Sequence, residues 1–370
     1  MEESMNMEAE RLSSAGYIIP NWKRLSLPES VFPKVTGKVL EKVSVEGHAV
    51  ELGEFTEQGA RAFDVSMFGK TLGEAFANYI KGEANHGLII RSSARSFDAP
   101  VVKINYNFEE TQSLLVDNHL CIAEEGAKLT VIVDYRGDEG ADKNRQHYGT
   151  TRVVAKRGSQ VRLVKIQRMG DQDDFFDQVF SIVEEGATLE LVDVQFGGKI
   201  KAIAYETHLK GRHAKADLQS LYFGESGSQL DLSFTMKHFG KKSESTILSK
   251  GALSGDSKKT FRGNLIFETG SAQSVGREKE VVILLDERVK SDSIPALLCS
   301  EDDVIGEHAA SIGQLDQDKI FYLMSRGLSM DEAKKMVIKA SFEEVLMSLN
   351  DASLKCAIEE ALDRRLNNGV

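Results

Sequence analysis

The sequence predicts a mainly β fold: a parallel β-helix core flanked by N-terminal and C-terminal α-helical parts. Three observations predict it. The five prolines are Pro20, Pro28, Pro33, Pro100 and Pro295, so 101–294 is free of proline while glycine stays frequent. Sheet interiors exclude proline, which cannot donate to a ladder, and glycine marks corners between strands. Within that stretch one unit recurs, an apolar strand, a polar turn with glycine and a second alternating strand. Both flanks carry the three-to-four-residue apolar spacing of helices instead.

In chain order, residues 2–14 are rich in helix formers, and Thr71 to Lys81 places Leu72, Ala75, Phe76 and Ile80 on one helical stripe. The strand–turn–strand unit reads LCIAEEGAKLTVIVDYRG (120–137), VVAKRGSQVRLVKIQRMG (153–170), FSIVEEGATLELVDVQFGG (180–198) and ETHLKGRHAKADLQSLYFG (206–224). Its turn glycines, Gly126, Gly158, Gly186 and Gly211, recur at intervals of 32, 28 and 25 residues. Such a period suits a solenoid whose coils bury inward side chains only by stacking. An antiparallel sandwich with hairpins at EEGA and KRGS is the alternative; the likeness of the segments to one another in order and composition favours the solenoid. At the C-terminus Asp316 can cap a helix ended by Gly327, Ser329 and Glu332 form a capping box, and Asp351 precedes a helix lined by Leu354, Ile358, Ala361, Leu362 and Leu366. The resulting division is 1–100, mixed and helical; 101–314, the β-helix; and 315–370, helical.

Composition excludes several function classes. The chain has 370 residues, 46 basic and 57 acidic side chains and a net charge of -11, the opposite of the basic footprint of a nucleic-acid binder. No apolar run approaches the ~18 residues that span a bilayer, and the acidic start MEESMNMEAE is unlike a secretory signal. Cys121, Cys299 and Cys356 are odd in number and widely spaced, which points to a reducing cytoplasm rather than a disulfide framework. No CxxC, GxxxxGK[ST] or GxSxG occurs, and FGESGSQ (223–229) reads as a β turn. Nucleotide binding by this chain itself is not expected. A β-helix raises the thought of a carbohydrate enzyme working through paired carboxylates, but there is no secretion signal to go with it.

Of the eight histidines, seven read as structural or surface residues. His308 differs by its company: CSEDDVIGEHAASIG (299–313) gathers Cys299, Glu301, Asp302, Asp303, Glu307 and His308. Thiolate, imidazole and carboxylate together can ligate iron; a solvated turn with a buried thiol is the bland reading of the same residues. If 304–308 is a strand, Glu307 and His308 point to opposite faces.

This region closely resembles the C-terminal core of the SufB/SufD family of iron–sulfur cluster assembly proteins. The likeness rests on Pro295 followed by EDDV (301–304), EHAASIGQLD (307–316) and FYLMSRGLS-x-x-EA (321–333) within 262–338. LIIRSSARSFDAPVVKINY (88–106) resembles the start of the family's β-helix, and NWKRLSLPE (21–29) weakly resembles its N-terminal region.

The resemblance implies a right-handed parallel β-helix, and pairing through it as a homodimer or with a SufB-type paralogue. It also implies binding of a SufC-like ABC ATPase through the C-terminal helices and a transient iron–sulfur cluster that is passed on to apo-proteins. The candidate metal residues are His308, Glu307 and Cys299, of which Cys299 lies after Pro295 and does not match the family's acceptor position; the expected ATPase contact is the stripe Ile320, Phe321, Leu323 and Met324. Where SufB-type chains carry a cysteine before the proline, this chain has Val289, and His308 matches the histidine of SufD-type chains, although Glu307 is SufB-like. A scaffold subunit is therefore expected, not an enzyme, with ATPase activity in its partner. The alternative is an adaptor that only holds and activates the ATPase while a SufB-type partner carries the cluster. For pairing, 262–289 is the expected open edge. Flavin binding is left open.

Overall fold

The computed structural model describes residues 37–369, apart from 57–62, 64–70, 96–97, 110–112, 138–143, 226 and 350. The helix expected over 2–14 and the segment 21–29 lie outside the described residues. The fold is mainly β, a parallel solenoid of about 7 turns with C-terminal helices. One sheet runs in the order β1 (Leu40–Glu46), β4 (Val101–Phe108), β6 (Lys128–Gly137), β8 (Gln160–Arg168), β10 (Thr188–Phe196), β12 (Lys215–Gly224), β14 (Glu244–Leu253), β16 (Ser274–Leu284) and β19 (Val304–Gln314). The other runs β2 (Val50–Glu54), β3 (Leu88–Ser92), β5 (Leu114–Ala123), β7 (Gln146–Ala155), β9 (Asp174–Val183), β11 (Ile200–Leu209), β13 (Gln229–His238), β15 (Lys258–Phe267) and β17 (Lys290–Ser293), with β18 (Ala296–Cys299) also on β15. Each coil thus gives one strand to each sheet.

This arrangement resolves the two readings of the EEGA and KRGS turns. A hairpin would pair β5 with β6 antiparallel; instead β5 pairs β7 and β6 pairs β8, both parallel. Among the described residues antiparallel pairing is confined to β1 on β4 and β2 on β3. The corners stack as a column in which Gly126, Gly158 and Gly186 adopt φ of 69°, 65° and 64°. Gly211 does not continue that column. The left-handed position of the next coil is His213, followed by Lys242 and Gln273, at φ 58°, 57° and 63°. Backbone bonds link the column: Gly158 N donates to Glu185 O and His213 N to Lys241 O, at 2.9 and 3.0 Å. Gly211 is needed for another reason, because a Cβ there would lie 1.9 Å from Glu185 N.

Alternate residues of both sheets point inward and form the main apolar core, among them Val131, Leu163, Leu191, Leu218, Leu232 and Phe261. Two outer faces are also sealed. A helix α1 (Glu74–Glu83) lays Phe76 and Ile80, with Leu72 just before it, on Leu114, Val116, Tyr148 and Phe176 of the second sheet, while Ala75 stays exposed. At the C-terminus α2 (Gln317–Ser325), α3 (Met330–Ser348) and α4 (Ala352–Gly369) follow. The Asp316 side chain accepts from the amides of Asp318 and Lys319, Gly327 takes φ 100°, and the Ser329–Glu332 capping box is present. Ile338, Phe342 and Val345 of α3 and Leu354, Ile358, Leu362 and Leu366 of α4 pack on Val164, Val192, Val194 and Phe223 of the first sheet.

The open edge differs from expectation. Residues 262–289 lie mostly in β15 and β16, and both are already paired, β15 by β17 and β18, β16 by β19. The strands ending the sheets on this side are β17, β18 and β19. A coil cannot be left unpaired in mid-stack when another follows it, and apolar alternation alone does not reveal which coil is last.

Candidate functional site at the open end of the solenoid

Register fixes how side chains stack toward this end. One inward column runs Leu191, Leu218, Ile247, Glu278, His308, each residue paired with the next across the parallel ladder. An apolar column therefore turns polar in its last two coils. Glu278 is 3% exposed, and neither carboxylate oxygen finds a hydrogen-bond partner among the described residues. Burial, reinforced by the neighbouring Glu280 and only partly offset by Lys259, raises its pKa to about 7. Gly263 makes its room, since a Cβ there would come within 2.7 Å of Glu278 Cγ. The neighbouring Glu280 is in the opposite condition: Lys259 Nζ lies at 2.5 Å, Tyr222 OH donates at 3.1 Å, and Ser293 Oγ also donates.

His308 sits in register above Glu278 on an exposed strand. Glu307 takes the other face, pairs in register with Arg277 and accepts from Arg277 Nε at 2.9 Å in an exposed ion pair. The period of two therefore separates Glu307 from His308. Asp302 and Asp303 lie in the turn before β19, about five residues and ~16 Å along the strand from His308. Cys299 is exposed and stacks in register on Phe267, on the inward face of the terminal coil. The turn 300–303 carries the chain from Cys299 to Val304, so His308 stands four residues farther along, ~13 Å at about 3.3 Å per residue. The structure thus places Cys299 and His308 on one coil end without bringing them into contact. The other thiols differ: Cys121 is buried, its pKa pushed up to about 12 by burial, and Cys356 lies exposed on α4 beside Glu360. Glu278 was missed by sequence reasoning, because its proximity to His308 comes from a 30-residue register offset with no local signal.

The four residues expected on the ATPase contact divide. Ile320 is buried, whereas Phe321 is 75% exposed and Met324 is 38% exposed, with Tyr322 beside them at 56%. A groove between α2 and α3 is lined by Tyr322, Leu323, Met336, Val337 and Ala340.

Residues 106–341 match the family model of the SUF system FeS cluster assembly SufBD core domain. The chain belongs to the SufBD family. It is 30% identical over 203 residues to an iron–sulfur cluster assembly SufBD family protein of Mycobacterium leprae, a match covering 55% of this chain and 23% of that protein. It is 31% identical over 160 residues to the iron–sulfur cluster assembly protein SufD of Bacillus subtilis, covering 43% of this chain and 37% of SufD. To SufB of the same organism it is 28% identical over 200 residues, covering 54% and 43%. The chain therefore spans less than half the length of these relatives.

The SufBD-like residues that are recognisable in sequence map onto the open end. The acidic residues of EDDV make the corner before β19, Val304 opens that strand, EHAASIGQ completes it, and Asp316 caps α2. Pro295 separates β17 from β18, interrupting the ladder on an edge strand where a missing N–H is tolerated. Val289, at the position of the SufB-type cysteine, is half-buried against the apolar core. Among the described residues no helix is long and apolar enough to cross a membrane.

Proposed function

We propose that this SufBD-family chain is a scaffold subunit on which iron and sulfide are combined before transfer to apo-proteins, acting in the cytoplasm in complex with a SufC-like ABC ATPase. The observation that carries this reading is the terminal coil. It holds a SufD-type histidine over a buried carboxyl group that has no partner among the described residues, on an edge where the described residues add no further strand to its sheet. An edge strand presents unpaired backbone groups that a second strand satisfies. Ile305 and Ile312 on β19 and Leu297 on β18 add exposed apolar surface to it, at 53%, 39% and 38%. The proposed partner on this edge is a second copy or a SufB-type chain.

His308 leads the proposed ligands, because its imidazole can bind iron through one nitrogen. Cys299 is an accessible thiol on the same coil and remains a ligand candidate through rearrangement or from across a pair. Glu307 would serve only a partner facing the outer side, since Arg277 holds it there. The ATPase contact is proposed on Phe321, Leu323 and Met324, while Ile320 anchors α2 to the fold.

The adaptor reading keeps one specific support: Val289 gives this chain no thiol at the SufB-type acceptor position. On that reading a SufB-type partner receives the sulfur. Anaerobic co-purification with the ATPase, then iron and sulfide reconstitution with and without a SufB-type chain, separates the two. Cluster on this chain and its ATPase supports the scaffold; cluster only with the SufB-type chain supports the adaptor.

A further inference from the structure

Near the other end of the solenoid, the space between the sheets holds polar groups in β5, β7 and β9. This region lies about six coils, ~29 Å at ~4.8 Å per coil, from His308. One set is fully satisfied. Leu88 N donates to His119 Nδ1 at 3.1 Å, so His119 Nε2 carries the proton and faces Tyr106 OH at 3.0 Å. Tyr106 OH bonds His86 Nδ1, and His86 Nε2 lies 2.7 Å from Glu41, which is partly exposed.

The adjoining set is not satisfied. Asp117, His147 and Asp177 are wholly buried, and ligand atoms from all three lie within 4.8 Å of one another. Asp117 Oδ2 accepts from Tyr135 OH at 2.8 Å and faces His147 Nε2 at 3.0 Å. Asp117 Oδ1 and His147 Nδ1 have no hydrogen-bond partner among the described residues. Residue 149 is glycine, and a Cβ there would lie 2.6 Å from Asp117 Oδ1, 2.7 Å from Asp177 Oδ1 and 2.6 Å from His147 Cε1. The missing side chain leaves the two carboxylate oxygens and the imidazole edge converging on one gap.

The charges are also uneven. Lys165 Nζ is 2.6 Å from Asp177 Oδ1 and 3.0 Å from Thr151 Oγ1, and Tyr205 OH donates to Asp177 Oδ2 at 3.1 Å. Two buried carboxyl groups thus stand beside one lysine, and a buried charge is retained only where it is paired or coordinates a metal.

We propose that Asp117, His147 and Asp177 form a binding site for a divalent first-row transition-metal ion inside the solenoid, with Lys165 as the tethered cation that occupies Asp177 until the metal arrives. Two carboxylate oxygens and one imidazole suit Mn2+, Fe2+ or Zn2+. The Glu41–His86–Tyr106–His119 chain leads from the surface to Asp117, whose Oδ2 lies 3.8 Å from His119 Nε2. The site is independent of the cluster proposed at His308 and would hold its ion in a protein that carries no cluster.

The test is Mn2+ titration of the full-length, chelator-treated protein, read by loss of the free-ion resonance signal, with Co2+ absorption as a second probe. The expected result is one saturable equivalent that raises the melting temperature. Asp177→Asn and His147→Gln should each weaken binding at least tenfold. Gly149→Ala, which fills the gap and removes no ligand, should do the same. Lys165→Met should tighten binding about tenfold by removing the competing ammonium, and His308→Ala should leave it unchanged. If the ligand variants fail to fold, the opposite shifts of Gly149→Ala and Lys165→Met still decide. No saturable binding by the wild type, or binding that ignores Gly149 and Lys165, overturns the site.

Discussion

Glu278 and His238 show how burial without charge compensation makes single side chains sensitive to pH. Glu278 has its pKa raised from 4.5 to about 7. Above pH 4.5 the unfolded chain releases this proton while the folded chain keeps it, so stability contributed at low pH is lost as pH rises toward 7. Glu278→Gln is therefore expected to be more stable than wild type at pH 8, by about 1 kcal/mol, and equal to it near pH 4.5, as read by urea unfolding. His238 runs the other way. It is buried against Phe267 at 4.6 Å, each ring nitrogen meets a serine hydroxyl, and burial lowers its pKa to about 4. Between pH 6.5 and 4 the unfolded chain takes up a proton that the folded chain refuses, so stability falls with falling pH, by up to about 3 kcal/mol. Removing the ring in His238→Asn should flatten that limb; an unchanged acid limb would place the titration elsewhere. At this scale the sequence was partly legible. Alternation alone separates Glu307 from His308, whereas Glu278, Asp117 and His147 are brought to their neighbours by coil register, which no local pattern encodes.

At the scale of elements, corners and helix caps were the legible features. The corner position was readable, but Gly211 is not its left-handed residue, because a polar corner exposed to solvent tolerates His213, Lys242 and Gln273 there. Each pays a backbone penalty that glycine avoids. Lys242→Gly and Gln273→Gly are expected to raise stability by roughly 0.5–1 kcal/mol each. Gly158→Ala should lower it by about 1 kcal/mol through φ alone, since a Cβ there meets nothing within 4 Å. Thermal unfolding of the three variants checks the column; a destabilised Lys242→Gly would contradict it. The helix starts at Asp316 and Ser329 follow directly from their caps. The open edge did not, since it depends on which coil comes last.

Across the whole molecule the C-terminal helices have two sides. One seals Val164, Val192, Val194 and Phe223 of the solenoid; the other exposes Phe321 and Tyr322. Removing 316–370 would uncover that sheet face, so loss of a partner in such a truncation would not isolate docking. Phe321→Glu is the cleaner change: it is expected to leave the melting temperature within a degree or two and to weaken ATPase capture at least tenfold, as read in a pull-down. Capture at wild-type strength would move the contact elsewhere. The central claim is that the terminal coil, through His308, holds the nascent cluster. The most direct measurement is anaerobic iron and sulfide reconstitution of the proposed complex with a SufC-like ATPase, comparing wild type with His308→Ala at matched fold and oligomeric state. The account predicts that the variant keeps its partners and its melting temperature but loses most of the cluster absorbance; a wild-type cluster yield from His308→Ala would contradict it.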